Sequence, residues 1–309
     1  MHAIVPQSVW RWKIAAYLFL AGAGAGAVIV SVVGDFLGYA VAAKIALGFG
    51  VPAVALSTLF LILDLGHPEK FFTAVLHPAT SWISRGVFIL SGLIVAGGLV
   101  IALWVWPFGA ILDANQSLRT ALEIIAFIFA VATCTYTGIL IGVIISRPFW
   151  NNPLLPILFL VSAISTGIGG VFLFTPVVSS VLGIGSAATA DFVKRLESAD
   201  LILLVVEALA IYLYLALVSD RAPEAAGLLL KGELSGLFWG GFLGVGLLVP
   251  VAIELVALVT REAVPQSSAT LIAGASLLIG GFLMRLLILA AGIRSPLMVR
   301  TPFRVRPGF

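Results

Sequence analysis

Apolar residues fill eight blocks of this chain, and polar residues are confined largely to the joints between them. A membrane-spanning helix needs about 20 mostly apolar residues. The blocks at 12–34, 42–63, 84–106, 119–145, 154–175, 200–218, 235–259 and 270–292 meet that need and predict eight spans. Eight spans place both ends of the sequence on one side, called face A. That face also takes the joints 64–85, 146–153 and 219–234, and the opposite face B takes 35–41, 107–118, 176–199 and 260–269. No joint is polar enough to form a soluble domain.

Residue punctuation agrees with these limits. Pro107, Pro148, Pro153 and Pro223 stand at or beyond predicted helix ends, where a missing N–H costs little. The run Ala21-Gly-Ala-Gly-Ala-Gly-Ala27 is a small-residue face that lets two helix backbones approach closely. Gly138 with Gly142 and Gly240 with Gly244 read the same way. In the face-B joint, the charges of 191–197 suit a short helix lying at the interface.

Composition narrows the class. Of 309 residues, 61% are hydrophobic and only 10% charged, with a mean hydropathy of +1.19. A soluble domain carries about a quarter charged residues, so the chain is read as an all-α integral membrane protein. Its net charge is +3, and no nucleic-acid partner is expected. The single cysteine, Cys134, leaves no disulfide, no thiolate metal site and no protein-ligated iron–sulfur cluster to expect within the chain. His2, His67 and His77 all lie outside the spans, so no axial pair for a haem is expected in the bilayer.

Candidate chemistry sits where titratable groups meet the apolar phase, because such groups are costly in hydrocarbon and default to functional roles. The joint 64–85 holds Asp64, His67, His77, Ser81, Trp82 and Arg85. Tyr136 lies 17 residues into the fourth span from face B, about 25 Å along it, so it too approaches face A. Thr133, Thr135, Thr137, Ser162, Ser165 and Thr166 accompany it. An acid, an imidazole, a phenol and hydroxyls beside an apolar cavity suit the head group of a quinone, whose carbonyls need donors and whose reduction takes up protons. The alternative is an interfacial Asp64–Arg85 ion pair with Tyr136 as an aromatic anchor.

A second set lies deeper or toward face B: Asp35, Glu123, Asp200, Glu207, Glu254 and Arg285. Asp200, Glu207 and Tyr214 recur every seven residues and so share one helical face. Arg119 and Glu123 stand four apart and can simply pair. A lone carboxylate at the depth of Glu207 is costly to keep ionised, so a neutral or paired state is expected, with Arg285 as the partner. Packing and proton relay both remain open for Glu207.

Several stretches together resemble a known family. They are Trp10-x-Trp12-x-Ile-Ala-x-Tyr-Leu-Phe-Leu-Ala-Gly, Asp64-Leu-Gly-His-Pro-Glu-Lys-Phe, Thr80-Ser-Trp-Ile-Ser, Tyr136-Thr-Gly-x-Leu, Arg147-Pro-Phe-Trp, Ser162-Ala-x-Ser-Thr-Gly and Gly280-Gly-Phe-Leu-Met-Arg285. In this order they resemble the NrfD-like, polysulfide-reductase membrane-subunit family over nearly the whole chain. The resemblance implies eight transmembrane helices in two four-helix bundles, here 1–145 and 146–309. It implies a multi-pass subunit of a prokaryotic cytoplasmic membrane with no catalytic residues and no metal of its own. Such a subunit binds menaquinone or ubiquinone near one membrane face. It exchanges electrons there with a ferredoxin-like four-cluster iron–sulfur subunit, joined to a molybdopterin-type catalytic subunit. By motif, Asp64, His67, Ser81, Trp82 and Tyr136 would surround the quinone, and Arg85 stands beside them. Some relatives carry a histidine and an asparagine early in the first helix; here Tyr17 is the nearest polar group. Glu207, Asp200, Glu254, Glu123, Asp35 and Arg285 are the candidate proton-relay residues. The competing readings are an ion-coupled secondary transporter and a purely structural anchor.

Overall fold

The computed structural model describes residues 12–64, 81–104, 115–185, 187–260 and 268–294. Among the described residues there is no strand. Among the same described residues, eight helices are long and apolar enough to cross a membrane. Six of them are α1 (Trp12–Phe36), α2 (Ala40–Asp64), α3 (Trp82–Trp104), α4 (Gln116–Gly142), α5 (Leu154–Leu182) and α6 (Ala187–Arg221). A short α7 (Pro223–Leu230) follows. The seventh span is π-helical over Leu237–Leu248 and continues as α8 (Val249–Thr260); the eighth is α9 (Ser268–Ala291). Helix is the form these blocks must take, because hydrocarbon offers no partner for a backbone N–H or C=O.

Two helices organise the packing. α1 packs against α2, α4, α5 and α9, and α5 against α1, α2, α4, α6 and α9. α3 touches mainly α2 and α4 and lies at the periphery. The central pair is close because glycines face backbone. A Cβ on Gly26 would fall on the carbonyl of Ala163 in α5, and one on Gly24 would stand 2.6 Å from the carbonyl oxygen of Gly50 in α2. The small-residue run of α1 is thus the seam on which three helices meet.

Four features depart from the spans read off hydropathy. First, α5 runs through Pro176 to Leu182, ending on Gly183 in the left-handed region (φ 64°). Pro176 deprives the carbonyl four residues back of its helical donor, a loss that packed spans tolerate. Second, residues 191–197 are no separate interfacial helix but the first turns of the 35-residue α6. They are held at face B by the Tyr39 hydroxyl donating to Asp191 and by Phe192 buried against Gly34, with an exposed Asp191–Arg195 pair at 3.1 Å within the helix itself. Third, the joint 219–234 contains α7, which starts with Pro223 in its first turn. Fourth, the seventh span begins with wide π turns, where Gly240, Gly241, Gly244 and Gly246 hold an α-helix poorly. There its backbone meets α9 at Gly246 and Gly280, each of which leaves no room for a Cβ on the other.

At face B the first half is locked by ions. Arg119 of α4 binds Asp35 of α1 through Nη2 and Glu123 through Nε at 3.0 Å. All three side chains are at least four-fifths buried, so removing the cation strands two carboxylates. Arg119→Leu is expected to destabilise the protein by about 2 kcal/mol, less than at a fully buried pair. A lowered thermal-unfolding midpoint in detergent, largely restored by Arg119→Lys, checks this. An unchanged midpoint would make the triad a surface ornament.

Candidate functional site

Tyr17 lies in the second turn of α1, and Tyr136 about two turns before the end of α4. Contact between these helices turns the two phenols toward each other near face A. Tyr17 is fully buried and Tyr136 is 3% exposed. The Tyr136 ring lies in a notch of α3 that exists because residue 86 is glycine, since a Cβ there would overlap the phenol. The Tyr17 hydroxyl is buried and makes no hydrogen bond of normal geometry among the described residues. Its polar neighbour is the Tyr136 hydroxyl, and a buried hydroxyl short of a well-formed hydrogen bond is unfavourable.

The N-terminal turn of α3 stands beside these phenols. Ser81 Oγ accepts the Ser84 N–H at 3.4 Å, which is the contact of a helix N-cap and gives Ser81 a structural task as well. The Arg85 guanidinium stacks on the Trp82 ring at 4.5 Å, so these two form one cation–π unit at the membrane edge. Asp64 is the last residue of α2. His67 and His77 lie outside the described residues, as does any pairing of the Asp64 side chain. Of the seven quinone-site candidates, the structure therefore brings Tyr17, Tyr136, Ser81, Trp82 and Arg85 to the face-A side of the first four spans.

The acid set divides in two. Asp35 and Glu123 belong to the Arg119 triad. Asp200, Glu207, Glu254 and Arg285 form a separate buried group between α5, α6, α8 and α9, and each is at most 4% exposed. Asp200 and Glu254 face each other across α6 and α8, and Ser165 of α5 faces Asp200. No oxygen of either carboxyl makes a hydrogen bond of normal geometry among the described residues. Glu207 faces Ser162 and Arg285. The Arg285 guanidinium donates to the Gly281 carbonyl at 2.7 Å and to Ser162 Oγ at 3.4 Å, and stacks over Phe159 at 5.5 Å. Its Nε and Nη2 have no partner among the described residues. Gly22 of α1 makes room for it, since a Cβ there would stand 2.6 Å from Nη2.

Two expectations change. Glu207 and Arg285 are neighbours but form no ion pair within 4 Å among the described residues. Tyr214 does not continue the acid row. Its hydroxyl donates to the Phe149 carbonyl at 2.5 Å and ties α6 to the face-A turn before α5.

One member had no place in the acid set drawn from sequence. Glu197 accepts the Thr270 hydroxyl at 3.1 Å and faces Glu254, extending the row toward face B. It stands three residues before Asp200, on the same helical face, so helical spacing would have found it once α6 was read as continuous. From face B inward the order is Glu197, Glu254, Asp200, Glu207 and Arg285. These are protonatable groups separated by serine and threonine hydroxyls within an apolar interior.

Comparison with known proteins supplies the relationship. Residues 3–296 match the family described as polysulphide reductase, NrfD. The sequence is 31% identical to a polysulfide reductase chain of Wolinella succinogenes, over 92% of this protein and 94% of that one. It is 34% identical to protein NrfD of Escherichia coli, over 92% and 95%. A putative dimethyl sulfoxide reductase membrane subunit of Halobacterium salinarum is 25% identical, over 71% of this protein and 54% of that one.

Proposed function

The chain belongs to the polysulphide reductase NrfD family, and from that premise we propose that it is the quinone-reactive membrane subunit of a respiratory oxidoreductase. The relatives named as a reductase chain and as a membrane subunit support the role of a non-catalytic anchor within a larger enzyme. The observation that carries the quinone reading is the meeting of Tyr17 and Tyr136 at Gly86. It offers two phenols, one hydroxyl of which is buried short of a well-formed hydrogen bond, beside the apolar ends of three spans.

A quinone supplies a carrier of electrons and protons in the lipid phase. The residues of this chain do the rest. Tyr17 and Tyr136 orient the head group by donating to its carbonyl oxygens and keep bulk water from it. Trp82 and Arg85 mark the membrane edge where the head group enters. The first bundle, 1–145, holds this site, and the second, 146–309, holds the acid row. The row from Glu197 to Glu207 carries protons from face B toward the site. A ferredoxin-like iron–sulfur subunit docks on face A, because electron transfer requires its nearest cluster to be close to the quinone. That subunit joins a molybdopterin-type catalytic subunit, and the whole is anchored in a prokaryotic cytoplasmic membrane. Arg300, Arg304 and Arg306, which would extend the dock, lie outside the described residues.

Tyr136→Phe removes one donor and leaves the ring in its Gly86 notch. Quinol-linked electron transfer should fall about 10- to 100-fold, matching a lost hydrogen bond to a charged group of about 1.5–3 kcal/mol. The complex should still assemble. Tyr17→Phe should act in the same direction. Unchanged turnover in both variants, measured with a soluble quinol analogue, would place the head group elsewhere.

A further inference from the structure

Face A carries a second recess, on the outer side of α4, α5 and α6 and away from the two phenols. Its larger part, about 330 Å³, is walled by Ile139, Val143 and Pro156 and rimmed by Asn151, Asn152 and Arg221. Its smaller part, about 180 Å³, lies between Arg221 and Arg294, with Pro148, Pro223 and Ile293 as floor and Glu224 at the edge. Arg221 is common to both.

Charge accumulates here without compensation. Arg147, Arg221 and Arg294 converge on the ends of α5, α6 and α9, and none of them makes an ion pair among the described residues. Arg147 is buried against the Trp150 ring and donates to the Gly292 carbonyl. Burial, and then the charge of Arg294, push its guanidinium below the ordinary arginine value. Glu224 is the one acid among the described residues lining either part, so the recess stays positive. An anion between Arg221 and Arg294 would relieve this repulsion and complete the arginines' unused donors.

The apolar wall decides what carries the anion. Ile139 and Pro156 lie inside the ends of the apolar spans α4 and α5. Ile145, Val143 and Ile157 stand exposed beside them, 81%, 39% and 51% accessible, as lipid-facing residues do. A hydrophilic segment of a partner cannot follow that wall into the membrane, whereas an acyl chain lies there naturally. We propose that this recess binds an anionic phospholipid, with its phosphate between Arg221 and Arg294 and its acyl chains along Ile139, Val143 and Pro156. The lipid seals the junction of α4, α5, α6 and α9 at face A, filling the recess that Pro153 and Pro223 open at the starts of α5 and α7.

The test uses the full chain, purified in mild detergent with whatever subunits accompany it. Native mass spectrometry should find phosphatidylglycerol or another anionic lipid retained in preference to phosphatidylcholine. After delipidation, phosphatidylglycerol micelles should raise the unfolding midpoint at lower concentration than phosphatidylcholine micelles. Arg221→Ala and Arg294→Ala should each weaken that effect about fivefold, compounding in the double variant. Lys231→Ala, an exposed cation outside the recess, should change nothing. The double lysine variant, Arg221→Lys with Arg294→Lys, should keep most of the retention, which separates lost binding from lost folding. Equal retention of phosphatidylcholine, or an unaffected double alanine variant, overturns the proposal. Stabilisation by inorganic phosphate equal to that by phosphatidylglycerol would mean a free-anion site and overturn the lipid assignment. Loss of an accompanying subunit with lipid retention intact would make the surface a protein dock and overturn it as well.

Discussion

Gly26→Ala, a change of one methyl group, is expected to remove most of the folded protein from the membrane. The added Cβ has no space, because it falls on the carbonyl of Ala163 in α5. Opposed side chains can change rotamer, but opposed backbone cannot, so α1 and α5 must separate along their length. Overpacking costs about 1–3 kcal/mol where side chains can adjust, and this position should stand at or above the top of that range. Marginal stability makes such a loss decisive. The central place of α1 worsens it, because α2, α4 and α9 lean on the same helix. Detergent-extracted yield should drop several-fold, and the unfolding midpoint of what remains should fall by about 5–10 °C. Gly98→Ala in α3 is the matched control. Nothing lies within 4 Å of its would-be Cβ, and it should behave as the parent protein. Equal losses in both variants would show that glycine itself, rather than the α1–α5 contact, is what the helices need.

Glu207→Gln should abolish proton movement from face B while leaving the fold intact. Glutamine keeps the shape of the side chain and can still bond Ser162, but it cannot release and regain a proton. Glu207 stands between the Asp200–Glu254 pair and Arg285, so the proposed row offers no way round it. In proteoliposomes driven by a quinol analogue, the parent protein and its partners should change the pH of the face-B compartment as turnover proceeds. The variant's pH change per electron should fall about a hundredfold, the low end of what a positioned proton-transfer group contributes. Glu207→Asp should restore part of the signal, since it returns a carboxyl one methylene short of the original position. Electron transfer into the quinone should continue where protons can be drawn from face A. An identical pH trace per electron in parent and glutamine variant would make Glu207 a packing residue. Loss of assembly in both variants would mark it as structural.

Hydropathy alone specified the eight spans and hence the class of protein, because lipid allows an apolar block only one backbone form. The order of short motifs was enough to point to the family that the comparisons establish. The Ala21–Ala27 run announced close helix packing, and the spacing of Arg119 and Glu123 announced their pair. These are local properties, written in residues that stand next to one another or one turn apart.

What lay out of reach depends on which helix meets which. Glycines told of a seam but not of its partners, and only the fold sets Gly26 on Ala163, Gly86 under Tyr136 and Gly22 beside Arg285. Asp35 joins Arg119 across 84 residues of chain, which takes it out of the acid row to which its depth had assigned it. Hydropathy started the sixth block at Asp200, because the charges before it look like an interface. The structure carries α6 back to Ala187, since Tyr39 just before α2, Gly34 of α1 and Thr270 of α9 receive those charges and Phe192. That extension is what brings Glu197 into line. Burial of a polar group is tolerable only when distant residues satisfy it, and those distances in sequence are closed by tertiary packing alone.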